Sequence, residues 1–128
     1  MSEIVCRESA ESEVQLWAEH FGVTLDLPDR ERIVRAVMDG RLSFDDVAET
    51  FIYRLRKPVT LENGDTLSEL RINEPSTGKI RDANKITKDE FEVSVRLLSY
   101  VTGHPLGIID RICMRDLTTT GTLFGFFG

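Results

Sequence analysis

The sequence contains few of the residues that usually form catalytic, metal or disulfide sites: two cysteines and two histidines among 128 residues. Cys6 and Cys113 lack the Cys-x-x-Cys spacing of redox and metal sites, so we expect two reduced thiols. His20 and His104 have no carboxylate or thiol neighbours at ligand spacing. No serine or cysteine stands beside a recognisable base. We therefore expect no catalytic residue, no metal and no cofactor, and a protein that is not an enzyme.

Long apolar runs and an excess of positive charge are also missing. No run approaches the ~18 apolar residues of a membrane span. The first residues, MSEIVCRESAESE, are acidic where a signal peptide is basic and apolar. The net charge of −6 argues against binding along a nucleic acid backbone, which requires a basic face. We expect a cytoplasmic protein with no membrane and no nucleic acid among its partners.

The first 49 residues contain two clear helical patterns. In ESAESEVQLWAEHFG the apolar positions, which include Trp17 and Phe21, fall on one helix face that ends at Gly22. LPDRERIVRAVMDG repeats this design, with Pro28 in the first turn. Ser43 is a candidate N-cap for a third helix of at most two turns. Residues 1–49 are therefore predicted to form a helical region of two to three helices.

The segment RLRKPVTLENGDTLSELRI predicts a β-hairpin, because Asn63-Gly64 favours a two-residue type I′ turn. The predicted pairing is Leu61 opposite Thr66, Val59 opposite Ser68, Lys57 opposite Leu70 and Leu55 opposite Ile72. One face then carries the apolar residues Tyr53, Leu55, Val59, Leu61, Leu70 and Ile72. Pro58 suggests an edge strand. Since two strands alone are marginally stable, this face must lie on helices or on the sheet of a partner.

The remaining residues predict further helices. Ser76 is a candidate cap for the first of them, and TKDE at residues 87–90 is a capping box for a helix over residues 88–102. That helix is expected to bury Phe91, Val95, Leu98 and Val101. Pro105 starts a short helix, and Asp116 is a candidate cap for the last one. The predicted fold is α+β and predominantly helical, with one antiparallel β-hairpin packed on a helical bundle. Residues 1–49 and 50–128 are expected to form one compact unit.

The last six residues, LFGFFG, hold three of the seven phenylalanines of this acidic chain. One interpretation is that Leu123, Phe124 and Phe127 fold back onto the apolar face of the hairpin, because their spacing suits a helix face. The other is that the aromatic residues dock on another copy or on a protein partner. The apolar face of the first helix, which includes Trp17 and Phe21, also allows two interpretations: these side chains pack in the core of their own chain, or they pack on a neighbouring copy. The candidate protein-binding residues are Trp17, Phe21, Leu123, Phe124, Phe126 and Phe127.

Two stretches of the chain carry a resemblance to a known family. LRKPVTLENGDTLSELRINEPSTGKIRD is similar to a strand with proline, a polar turn with glycine, a leucine-rich strand and an acidic-proline step into a helix. LLSYVTGHPLGIIDRICMRDL is similar to a helix ending in Thr-Gly, a proline-started short helix and an Asp-Leu start of the last helix. The phenylalanines near the end of the chain also match this family. On these features, residues 50–127 resemble the tail assembly chaperones of tailed phages and prophages. Residues 1–49 fall outside the resemblance.

The resemblance implies a non-enzymatic factor of virion morphogenesis in the host cell cytoplasm. Such chaperones bind and solubilise the tape measure protein before the tail tube polymerises around it, and the tail tube protein is a second partner. A homo-oligomer is also expected, because many copies along one client raise the effective concentration of each contact. The apolar helical stripes and the open hairpin edge suit such contacts independently of the resemblance.

Two other interpretations stay open on the sequence. One is a small protein-binding regulatory module, antitoxin-like or anti-repressor; the other is an enzyme whose site is assembled from distant residues. A very long helical reading frame immediately downstream would favour the chaperone, and a lone toxin-like partner the regulator. The resemblance adds a hypothesis about the gene, since family members are often made in two lengths by a −1 frameshift. Phe126-Phe127-Gly128 can be encoded by a slippery run of uridines followed by guanosine.

Overall fold

The computed structural model describes residues 5–127, which form six α-helices, three strands and a final 3-10 turn. In chain order these elements are α1 (Arg7–Phe21), α2 (Leu27–Met38), β1 (Leu42–Asp45), β2 (Thr50–Thr60), β3 (Thr66–Ile72), α3 (Thr77–Ile86), α4 (Glu90–Thr102), α5 (Leu106–Ile109), α6 (Met114–Leu123) and the 3-10 turn (Phe124–Phe127). The strands form one antiparallel sheet in the order β1-β2-β3. The predicted α+β, mostly helical fold class is confirmed. Gly128 lies outside the described residues.

Local capping residues fix two helix ends at their predicted positions. Gly22 follows α1 with a left-handed φ of 67°, and the side chain of Ser76 accepts a hydrogen bond from the Lys79 amide at the start of α3. The predicted capping box before α4 is wrong. Asp89 is the N-cap and accepts a hydrogen bond from the Phe91 amide, so α4 begins two residues later than predicted, at residue 90.

The predicted third helix after Ser43 is also wrong, because this segment is strand β1. Leu42 pairs with Tyr53 and Asp45 pairs with Thr50, so β1 runs antiparallel to β2. Leu42 is buried and Ser43 is exposed, which is the alternation of a strand with one covered face. The propensity of Ser43 for an N-cap is therefore overridden by sheet pairing. This pairing joins residues 1–49 to the hairpin across the predicted boundary.

The hairpin of β2 and β3 is present, but its predicted turn and register are wrong. Thr60 pairs with Thr66, and the loop between them spans residues 61–65. Gly64 has a φ of 90°, whereas Asn63 is not among the residues with positive φ, so the loop is not a type I′ turn. The side chain of Asn63 instead accepts a hydrogen bond from the Asp65 amide. Asparagine therefore builds the turn through its side chain rather than through its backbone conformation.

A bulge in β2 shifts the pairing further. Arg54 pairs with Glu69 and Val59 pairs with Leu67, so residues 55–58 of β2 stand opposite Ser68 alone. Pro58 lies within this bulge, where its lack of an amide hydrogen breaks no ladder. The predicted edge strand is wrong, because β2 is the central strand of the sheet. The predicted division of faces nevertheless holds. Its apolar residues are buried except for Leu61, which is half-buried: Tyr53, Leu55, Val59, Leu70 and Ile72.

One hydrophobic core joins the helices to the apolar face of the sheet. Its buried residues come from α1, α2, all three strands, α4, α5, α6 and the final turn. Helix α4 contacts β3, and α6 contacts β2, so these two helices cover the hairpin face. The other sheet face is largely exposed along Arg54, Glu69 and Arg71. The arrangement leaves α6 between α2 and α4, where its outer side forms part of the molecular surface.

Candidate protein-binding site

The six candidate binding residues predicted from the sequence come together at one end of the molecule. Phe126 lies 5.1 Å from Phe51 in a stacked arrangement, measured between ring centroids, and 6.3 Å from Trp17. Phe21 lies 6.0 Å from Phe126 and 5.3 Å from Phe127. Such edge and stacked contacts each add to the burial of apolar area. The chain therefore gathers these rings around its own β2, in what we call the aromatic cluster.

Most of this cluster is core rather than surface. Leu123 and Phe126 are fully buried, and Trp17 is 6% exposed, so these three do not present a docking surface in this fold. Phe21, Phe124 and Phe127 are partly exposed, and a contact of these three with a partner stays a prediction. The expected set of Leu123, Phe124 and Phe127 needs correction, because Phe126 is the ring that is fully buried. A 3-10 turn places residues i and i+3 on one side, which brings Leu123 and Phe126 together.

A buried carboxyl group lies at the other end of α6. Asp116 is fully buried and occupies the third residue of the helix, so the prediction that it caps the helix is wrong. Its Oδ1 accepts a hydrogen bond from the Tyr53 hydroxyl at 2.7 Å, and its Oδ2 accepts from the Arg56 amide at 2.8 Å and the Lys57 amide at 3.3 Å. The thiol of Cys113 adds a contact at 3.3 Å. The first turn of a helix also favours a negative charge.

Asp116 therefore explains the bulge of β2. The amide groups of Arg56 and Lys57 turn away from β3 to reach this carboxyl group, which lies about 60 residues away in the chain. Burial, and then the hydrogen bond to Asp116, raise the pKa of Tyr53 well above its usual value. The Tyr53 hydroxyl thus keeps its proton and remains a donor. This arrangement holds the strand to the helix.

The surface offers a different candidate, a groove between α4 and α6. Phe91 is 47% exposed at its rim, although the sequence predicts it in the core. The groove has a volume of about 310 Å³, and small side chains form much of its lining: Ser94, Thr118, Gly121 and Thr122. These residues are too short to cover the ring of Phe91. We call this feature the α4–α6 groove.

The rim of the α4–α6 groove is mixed in charge. Asp29 from α2 and Glu90 from α4 line it, and Arg32 reaches the same edge by donating a hydrogen bond to the Thr122 hydroxyl at 3.0 Å. Narrow floors of glycine and threonine allow a second helix to approach closely, and an exposed ring beside them supplies contact area. The pattern Thr118, Gly121, Thr122 on one face of α6 is the sequence signal that points to this groove.

Two other kinds of site receive no support from the described chain. Within residues 5–127, no three side chains of the His, Cys, Asp and Glu types come together as ligands for a metal ion. None of the helices in that range combines the length and apolar character needed to cross a bilayer. Comparison of the chain with protein-family models, with curated proteins and with solved structures finds no match.

Proposed function

We propose that this protein is a non-enzymatic tail assembly chaperone of a tailed phage or prophage, which binds and solubilises the tape measure protein in the host cytoplasm. The proposal draws on the resemblance of residues 50–127 and on one structural observation that goes with it. That observation is the exposed ring of Phe91 beside the small-residue floor of the α4–α6 groove. A client made of long helices is the kind of partner that such a groove fits.

The α4–α6 groove supports this function through its shape and its chemistry. A helix of the client lies against Thr118 and Gly121, where no bulky side chain holds it away, and one of its apolar residues packs on Phe91. A single contact of this size is weak, and many copies along one long client compensate for that weakness. Assistance to assembly of the tail tube follows if bound copies leave as tube subunits arrive.

Co-expression with the tape measure protein tests the proposal directly. The soluble fraction of that protein is measured with and without the chaperone, and the amount retained by the tagged chaperone is quantified. We expect Phe91→Ser to lower retention roughly tenfold or more, because it removes the central apolar contact. Leu16→Ser is the matched control, since Leu16 is 63% exposed on α1, away from the groove.

Equal retention by the Phe91→Ser and Leu16→Ser variants would exclude the groove as the client site. Retention of no tape measure protein by the unmodified chain would exclude the chaperone function. A small protein-binding regulator, antitoxin-like or anti-repressor, remains the second candidate. It would be supported by a growth-inhibiting or repressor partner that binds the same groove and loses affinity with Phe91→Ser.

A further inference from the structure

Five arginines from four different elements line two adjoining cavities on one side of this acidic molecule. One cavity, of about 350 Å³, is lined by Arg7, Arg35, Arg56 and Arg115, together with Met38 and Asp39. The other, of about 270 Å³, shares Arg56 and Arg115 and adds Arg32 and Met114. We call the two together the arginine concavity. The chain as a whole has a net charge of −6, so this concentration of guanidinium groups is a local departure from its composition.

Some of the guanidinium groups that line the arginine concavity form ion pairs with carboxylates of the same chain. Arg7 lies 2.8 Å and Arg35 3.0 Å from Glu31, and their guanidinium groups lower the pKa of Glu31 to about 2. Arg56 lies 3.3 Å from Asp39, and Arg32 lies 3.5 Å from Asp29.

Two polar groups of the concavity remain without partners. Within residues 5–127, Arg115 makes no ion pair and no hydrogen bond through its side chain, although it lines both cavities. The Nε atom of Arg56 is buried and also has no hydrogen-bond partner. Guanidinium groups recognise carboxylates through paired hydrogen bonds. The concavity therefore has unused capacity for a carboxylate-bearing segment.

An acidic turn of the same chain has the matching chemistry. Residues 46–49 connect β1 to β2, and Val47 within this turn is 91% exposed. The Asp45 side chain accepts hydrogen bonds from the Val47 and Ala48 amides at 3.0 and 3.1 Å, which fixes the turn. The carboxylates of Asp46 and Glu49 are exposed on either side of Val47, and that of Glu49 lies 2.8 Å from the Nε2 atom of His20. An apolar tip between two carboxylates suits a basic concavity that also contains two methionines.

The turn cannot enter the concavity of its own molecule. It ends where β2 begins, whereas the concavity reaches Arg56 six residues further along that strand, or ~20 Å away. A contact between turn and concavity therefore joins two molecules through different surfaces. Contacts of this head-to-tail kind produce open chains or closed rings rather than two-fold dimers.

We propose that the arginine concavity binds the acidic turn, residues 46–49, of a second copy of this chain. The Asp46 carboxylate meets the guanidinium groups of Arg115 and Arg56, which have donors without partners among the described residues, and Val47 enters between Met38 and Met114. This inference does not depend on the client proposed above. The concavity adjoins the α4–α6 groove at Thr118.

The test is the molar mass of the purified chain in solution, measured by sedimentation and light scattering. We expect the mass to rise with protein concentration at about 0.05 M NaCl and to fall at about 0.5 M NaCl, where surface charges are screened over shorter distances. Arg115→Glu and Asp46→Arg should each weaken association roughly tenfold or more. Arg71→Glu and Glu62→Arg are the matched controls, because they make the same changes of charge at exposed positions elsewhere.

Mixing the two interface variants separates this contact from any other. The Arg115→Glu variant keeps an intact turn, and the Asp46→Arg variant keeps an intact concavity. Their mixture should therefore associate, although each variant alone is monomeric, because one contact is unmodified and the other has its two charges exchanged. A mixture that stays monomeric overturns the proposal, as does an unmodified chain that stays monomeric at low salt. Association that the Arg71→Glu and Glu62→Arg controls weaken to the same extent also overturns it.

Discussion

The two ends of α6 are both buried against β2, but they are held there by opposite kinds of contact. At the C-terminal end, Phe126 stacks on Phe51 within the aromatic cluster, where apolar area is removed from water. At the N-terminal end, Asp116 is fully buried and accepts hydrogen bonds from Tyr53 and from two backbone amides of the bulge. The first contact stabilises any tight packing of rings, whereas the second requires one position of the strand relative to the helix.

The aromatic end should show the largest loss of stability on substitution. Phe126→Ala removes a fully buried ring that touches Trp17 and Phe51, so it should lower the free energy of unfolding by about 3–5 kcal/mol. Urea denaturation followed by circular dichroism measures this change. Phe127→Ala is the control, and because Phe127 is partly exposed we expect a clearly smaller loss. Equal losses for both would contradict the placement of Phe126 at the centre of the cluster.

The polar end should be nearly as sensitive, for a different reason. Asp116→Asn keeps the size of the side chain but replaces one accepting oxygen by a donor, which leaves either Tyr53 or the amide of Arg56 without an acceptor. We expect a loss of about 2–3 kcal/mol, with faster hydrogen exchange at the amides of Arg56 and Lys57. Asp110→Asn, at an exposed position after α5, should change stability by less than about 0.5 kcal/mol. Unchanged exchange in the bulge would show that Asp116 does not hold it.

These two ends also differ in how far the sequence predicts them. Helix ends at Gly22 and Ser76 were predicted correctly, because the capping residue and the amide it serves lie within a few positions of each other. The apolar face of the hairpin was predicted correctly from alternation alone. The register was not, because Asp116 takes amide hydrogens from a strand about 60 positions earlier in the chain. No local sequence pattern in β2 predicts that its amides donate to the carboxyl group of Asp116.

The binding residues illustrate the same limit. The sequence predicts Phe126 as a docking candidate because a short tail broken by glycine can hardly bury its rings alone, and Trp17 because a helix stripe suits a contact as well as a core. The fold instead packs α1 and β2 around that tail. Phe91 was placed in the core because it shares the apolar stripe of α4 with Leu98. Leu98 is fully buried, whereas Phe91 lies opposite Gly121 and Thr118, which are too small to cover it. Exposure depends on the residues of the facing helix, which periodicity in one segment does not reveal.

Removing only the hydroxyl of Tyr53 tests the polar end with a smaller change. Tyr53→Phe keeps the ring in the core and leaves Asp116 its two amide donors, so we expect a loss of about 1–2 kcal/mol near neutral pH. The pKa of Tyr53 is raised in the folded state, so this state holds the hydroxyl proton more tightly than the unfolded state does. The resulting stability is constant below a pH of about 10, the ordinary pKa of tyrosine, and is lost as the pH rises above it.

The alkaline pH dependence separates this hydroxyl from other groups that titrate nearby. Above a pH of about 10, the unmodified chain should lose stability more steeply than the Tyr53→Phe variant, by at most about 1.4 kcal/mol per pH unit. All other ionisable groups are common to both proteins, so the difference between the two curves reports Tyr53 alone. Urea melts at several pH values measure it. Parallel curves would mean that the hydroxyl of Tyr53 is not buried against Asp116.

The smallest expected effect lies between the two ends, at Gly121 in the floor of the α4–α6 groove. Gly121→Ala should raise the free energy of unfolding by about 0.5–1 kcal/mol, because alanine loses less backbone entropy than glycine on entering a helix. A Cβ atom at this position would lie 3.5 Å from Ser94 Oγ, which is ordinary contact, so no strain offsets the gain. The same methyl group narrows the floor beside Phe91, and retention of the tape measure protein should fall. Gly125→Ala is the control, since its Cβ would lie 3.5 Å from Leu25, outside the groove. If the Gly121→Ala variant is more stable but retains the same amount of the tape measure protein, the described packing of α6 would stand. The floor of the α4–α6 groove would then not be part of the binding site.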